Sequence, residues 1–232
     1  MHGTLKDLFD ASRPARMTQR DANRLMARIA FALLGFTVLA FGAKALFIPS
    51  VQARYTPLVV FHAGTMLAWM ALLGTQATLA ARGGMRLHRK LGASSLALVA
   101  GMAVSGAIIS VNIGRELGRG EVTVVNLAAF VTFLPLYGSA LVFAHRGRMH
   151  EHRQAMLIGT LALMTPAYAR VTDVLGLPPE LAIAAQVPIT FAIALGYEWA
   201  VLGRVSKPVA AMLAFSIAVV AVMVAVLAVW FL

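Results

Sequence analysis

Residues 72–91 read LLGTQATLAARGGMRLHRKL, and residues 136–155 read LYGSALVFAHRGRMHEHRQA. At a constant offset of 64, without a gap, eight of the twenty positions are identical. They pair Leu72 with Leu136, Gly74 with Gly138, Ala80 with Ala144 and Arg82 with Arg146. The rest are Gly83 with Gly147, Met85 with Met149, His88 with His152 and Arg89 with Arg153. Apolar letters coincide readily in membrane helices, but the R-G-x-M-x-x-H-R pattern is polar and therefore specific. In each copy an apolar run ends at Arg-Gly and a second apolar run follows a short basic turn. That order predicts two helical hairpins in the same orientation.

The chain around this repeat is equally apolar. Hydrophobic residues make up 60 % of its 232 positions and charged residues 12 %, against about a quarter charged in soluble domains. A water-soluble globule, a disordered chain and a collagen-like fibre are excluded. The absence of cysteine excludes disulfides, cysteine-ligated zinc, iron–sulfur clusters and covalent c-type haem. No GxSxG, HExxH or phosphate-binding loop occurs.

A membrane-crossing helix needs about 20 mostly apolar residues. Seven segments satisfy this: 29–48, 57–81, 91–114, 122–144, 155–176, 180–203 and 209–231. The predicted fold class is thus an all-α membrane protein of seven transmembrane helices, with helices 2–3 and 4–5 as duplicated parallel hairpins. A basic tail, 1–28, precedes a single seven-helix domain, 29–232. Thr4 with Asp7 and Thr18 with Asp21 fit a capping pattern. The first would open a short interfacial helix bearing Leu5, Leu8 and Phe9. The second would start the helix of span one.

Lysine and arginine orient the bundle. The tail and the second, fourth and sixth connections hold fifteen of them, the opposite face only Arg54, Arg115 and Arg119. This predicts a cytoplasmic N-terminus and a periplasmic C-terminus, with the bilayer as partner. The net charge of +11 is an orientation signal and gives no reason to expect a nucleic acid.

Few residues in the spans carry chemistry. His62 is an ionisable side chain inside span two, a functional candidate by default; a neutral core histidine bonded to Thr65 or a neighbouring helix is the competing reading. Its offset partner is Asn126. His88 and His152 begin spans at equivalent places, where they serve either as metal or haem ligands or as contacts to lipid phosphates. His145, His150, Glu151 and His152 crowd one loop, but the arginines around them oppose a bound cation. Arg170 and Asp173 share a helix face, above a kink expected at Pro166, with Lys44 on the same side of the membrane. Glu198 stands near the inner end of span six, as a proton carrier or a partner for Arg204. Ala93, Ala97, Gly101 and Ser105 form a small-residue stripe.

The stretch Leu87-His88-Arg89-Lys90-Leu91-Gly92, with His62 in the preceding span, resembles a group of bacterial multi-pass membrane proteins carrying an LHRxLG motif. These are distantly similar to cytochrome b-561. The resemblance implies an inner-membrane location and a four-helix core, over about residues 57–176, in which paired histidines hold b-type haem. It implies electron transfer involving a quinone-like partner. Carried over, His88 and His152 are the inner axial pair, with Arg89 and Arg153 set to meet haem propionates. The outer pair has His62 but only Asn126 opposite, a departure from the pattern. Two other readings stand beside this one: an accessory or scaffold subunit of a membrane complex, and a proton-coupled transporter of small solutes resting on Glu198, Arg170 and Asp173.

The charge asymmetry makes a direct prediction. A reporter fused after residue 232 is expected to be active outside the cytoplasm. Outside activity confined to fusions ending in the second or fourth connection would overturn the orientation.

Overall fold

The computed structural model describes residues 15–116 and 118–231; the predicted interfacial helix of Leu5, Leu8 and Phe9 lies outside the described residues. Helix α1 (Gln19–Phe47) starts where the capping pattern places it. The Thr18 hydroxyl accepts from the Asp21 backbone N–H at 3.2 Å and donates to Asp21 Oδ2 at 2.7 Å. This satisfies N–H groups that a helix start leaves open. The helix thus begins ten residues ahead of the apolar segment, and Ala22, Met26 and Ala27 are already buried.

A 3-10 turn, Pro49–Arg54, leads to α2 (Pro57–Ala81), α3 (Met85–Glu116) and α4 (Gly120–His145). Helices α5 (Met149–Ala162), α6 (Thr165–Leu175), α7 (Glu180–Leu202) and α8 (Lys207–Trp230) follow. Six of them, α1 to α4 with α7 and α8, are long and apolar enough to cross a membrane. The described residues contain no strand. The chain is a multi-pass α-helical membrane protein.

The fifth predicted span departs from expectation. Instead of one helix over 155–176, the structure has α5 and α6, of 14 and 11 residues, separated at Leu163 and Met164. Pro166 is the cause. Proline has no N–H, so Ala162 loses the donor that a continuous helix would supply four residues on. Gln186 of α7 replaces it: its Nε2 donates to the Ala162 carbonyl at 3.1 Å. Its Oε1 accepts from the Thr165 hydroxyl at the start of α6. One amide thereby joins the two halves of the interrupted segment.

That segment is the centre of the bundle. From Arg153 to Thr165 every residue except Met156 is buried, because α1, α4, α7 and α8 all pack on α5. Gly159 lets α4 come close; a Cβ there would meet Phe133 Cδ2 at 3.3 Å and Leu136 Cβ at 3.4 Å. Trp69 of α2 packs edge-on against Phe133 and Tyr137 and donates from Nε1 to Thr160 Oγ1 at 3.1 Å. At one end Arg153 Nη1 donates to Asn23 Oδ1 at 3.1 Å, and at the other Asp173 pairs with Lys44. The α5–α6 segment therefore lies alongside α1 over most of its length.

The two matching connections adopt the same conformation. Gly83 and Gly147 both have positive φ, 79° and 72°. The N–H groups of Gly84 and Arg148 reach back to Leu79 O (2.8 Å) and Phe143 O (2.9 Å), while those of Gly83 and Gly147 bond Ala80 O and Ala144 O. This is the Schellman closure, which needs a left-handed residue and so favours glycine.

Gln186→Leu should expose the consequence of the interruption. It strands the Ala162 carbonyl and the Thr165 hydroxyl inside the bundle, at a cost of about 1–3 kcal/mol. The expected result is a lower Tm in detergent, with Gln52→Leu at the exposed 3-10 turn leaving Tm unchanged. Equal Tm values would mean that the amide does not hold the break together.

Candidate functional site

The paired histidines occupy equivalent positions in the two connections. His88 Nδ1 lies 3.1 Å from Gln76 O, and His152 Nδ1 lies 2.9 Å from Ala140 O. Gln76 and Ala140 are themselves 64 residues apart, so the same bond is made at the repeat offset. A carbonyl only accepts, so each Nδ1 is the protonated nitrogen and each neutral ring keeps its Nε2 lone pair. Gln76 adds a second bond in the first hairpin, from Nε2 to His88 O at 3.0 Å. Both imidazoles are half-buried.

The residues beside them differ. Arg89 is exposed on the first turn of α3. Arg153 is only 7 % exposed, held by Asn23 and standing beside Tyr197. His62 is half-buried, with Nδ1 in hydrogen-bond contact with Ser105 Oγ at 3.0 Å, and Ser105 Oγ also lies 2.6 Å from Gly101 O. The small-residue stripe fronts two environments: Ala93 and Ala97 are exposed, while Gly101 faces Phe61 and Thr65 of α2. Two cavities of about 30 Å³ each lie among α4, α5–α6, α7 and α8, both lined by Thr132, Gln186, Val187 and Val220. Neither is lined by His88 or His152.

At the far end, Asp173 pairs with both Lys44 and Arg170, the latter at 3.6 Å, and Arg170 lies over the Phe41 ring. The three-residue spacing finds this pair, and its partners are two cations around one carboxylate.

The most deeply built polar cluster is one that sequence reasoning divides among separate residues. Glu198 is fully buried. Its Oε2 accepts from His150 Nε2 at 2.6 Å and Gln154 Nε2 at 2.7 Å, and its Oε1 accepts from the Ser206 N–H at 2.9 Å. The His150 ring stacks on Tyr197, whose hydroxyl donates to Ala22 O at 3.2 Å. The histidine-rich run thus splits by helical position: His145 is exposed, Glu151 pairs with Arg148 at 2.9 Å, and His150 turns inward to Glu198. Among the described residues, no group of three side chains suited to a metal ion is present. The signal missed in the sequence is the spacing His150…Gln154, i and i+4 on one helix face.

Removing Glu198 should be costly. Glu198→Ala strands two side chains and a backbone N–H in the interior, a loss of about 3–5 kcal/mol for a broken buried pair. Glu151→Ala, at a partly exposed pair, should cost about 0–1 kcal/mol. Chemical unfolding of the two variants in detergent measures the difference; equal losses would show that Glu198 is not held as a buried ion.

No family model, curated protein or solved structure matches the chain, so the site is read from its own chemistry.

Proposed function

We propose that this chain is a bacterial inner-membrane electron-transfer protein that holds one b-type haem between His88 and His152. The observation that carries the reading is the repeated Nδ1–carbonyl bond. Haem-ligating histidines are oriented by an outer hydrogen bond of this kind, which fixes the tautomer and leaves Nε2 for iron. The donor set fits the group: two imidazoles of the same tautomer, with exposed Arg89 to meet a propionate. A bound b-type haem supplies a one-electron redox couple. The chain's part is to hold the two rings, fix their tautomer and place the centre near the arginine-rich face, where a quinone-like partner is the proposed donor or acceptor. His62 faces no second histidine, so the proposal is for a single haem.

The same proposal includes seven crossings, with α5 and α6 together forming the fifth. Asn23 and Lys44 are 21 residues apart on α1, about 31 Å at the helical rise, close to the hydrocarbon thickness. Arg153 and Asp173 meet those same two residues, which supports a matched crossing. The N-terminus is then cytoplasmic and the C-terminus periplasmic. The two hairpins descend from one unit, a reading supported by their identical closures at the 64-residue offset.

A visible spectrum of the purified protein tests the reading. A low-spin b-type spectrum is expected, lost in His88→Ala or His152→Ala and retained in the exposed His145→Ala. A colourless protein that takes up no added haem overturns it. The two histidines would then be braces across their hairpin loops, and the chain an accessory or scaffold subunit.

A further inference from the structure

At the end of the bundle opposite the arginine-rich connections, two cations meet one carboxylate. Lys44, in the last turn of α1, and Arg170, on α6, both face the same atom, Asp173 Oδ2. The ammonium bonds it directly. The guanidinium stands at 3.6 Å, beyond hydrogen-bond reach. Among the described residues the Arg170 guanidinium makes no hydrogen bond; its other contact is the Phe41 ring, with 5.2 Å between Cζ and the ring centre.

The side chains of Lys44, Arg170 and Asp173 are 17 %, 32 % and 34 % exposed. The group is thus largely screened from water and still open on one side. Two cations and one carboxylate leave a formal charge of +1. A partly desolvated charge needs a partner and hydrogen bonds, and Asp173 completes Lys44 alone. The group is short of one negative charge and of acceptors for the planar fork of Arg170.

The chemistry of that deficit selects the occupant. A monoanionic phosphodiester brings the charge to zero and supplies two oxygens for a bidentate contact with arginine. A metal cation is opposed by both basic side chains, and a soluble dianion overshoots the charge. The surroundings favour a lipid. Leu46 and Phe47 at the end of α1 and Leu175 at the end of α6 are strongly exposed, and acyl chains cover such a surface. Basic pockets between spanning helices hold anionic headgroups in this way.

We propose that Arg170, Lys44 and Asp173, where α6 packs on α1, bind the headgroup phosphate of an anionic phospholipid in the leaflet at that end. Arg170 takes two phosphate oxygens. Lys44 gives a second N–H to the same phosphate, and Asp173 holds the two cations together against their repulsion. The site shares no residue with the paired histidines and stands or falls apart from the haem reading.

Solid-state NMR of the full chain, ¹⁵N-labelled at lysine and reconstituted in bilayers, tests it through dipolar dephasing of Lys44 Nζ by ³¹P. Lys44→Met identifies that signal among the four lysines. In phosphatidylglycerol bilayers Lys44 is expected to dephase, and in zwitterionic phosphatidylcholine it is not. The effect should be lost in Arg170→Gln and kept in Arg115→Gln, an exposed cation at the same end. Equal dephasing in phosphatidylcholine means an unselective interfacial lysine and overturns the proposal, as does no dephasing in phosphatidylglycerol. Dephasing by inorganic phosphate in phosphatidylcholine bilayers, with none in phosphatidylglycerol, means a soluble-anion site and overturns the lipid assignment. The bilayer comparisons use the unmodified protein, so they decide the matter whether or not a variant folds.

Discussion

The structure depends on one constraint: α5 is surrounded by protein, so each polar group it carries must be matched by a different neighbour. Arg153 is met by Asn23 of α1, Gln154 by Glu198 of α7 and Thr160 by Trp69 of α2. The Ala162 carbonyl is met by Gln186 of α7, and His152 reaches Ala140 O of α4. In an apolar surrounding an unmatched group costs several kcal/mol. These bonds therefore fix depth and rotation, which apolar packing among leucines and alanines specifies weakly. Helix α3, which carries the first copy of the shared motif, is bonded to α2 through His88 and Ser105 and presents Leu96, Val104 and Ile108 outward.

Comparison of the two motif copies shows how one sequence pattern acquires two environments. The turn, its glycine and the histidine bond are shared. Beyond them, Met102 in α3 corresponds by offset to Pro166, and α3 runs unbroken for 32 residues where the second copy is interrupted. Arg89 faces outward while its counterpart Arg153 is enclosed. The chemistry concentrated around Arg153 and Glu198 thus arises from the position of α5 in the bundle and not from the motif itself.

Much of the fold was legible because long apolar runs and basic turns are local signals. The helix ends at Ala81 and His145, the Thr18 cap and the Arg170–Asp173 pair all follow from spacing along one helix. The break at Leu163 and Met164 was only half legible. Pro166 announces a lost hydrogen bond, but whether the helix kinks or divides depends on Gln186, twenty residues on and in another helix. The Glu198 cluster was least legible. His150 and Glu198 are 48 residues apart, and no local pattern tells an inward histidine from an outward one in a loop that contains both.

The interrupted helix has a consequence for how the protein is made. As the chain emerges from the ribosome, the α5–α6 segment appears before the residues that neutralise it, since Gln186 and Glu198 lie further along. Arg153 finds Asn23 on the earlier α1, but Gln154 and the Ala162 carbonyl meet their side-chain partners, Glu198 and Gln186, only on α7. These two groups are matched only once α7 packs against the segment. Biogenesis of this membrane protein is therefore cooperative in its second half, and a ribosome stalled between the two leaves a segment that neither water nor bilayer accommodates well.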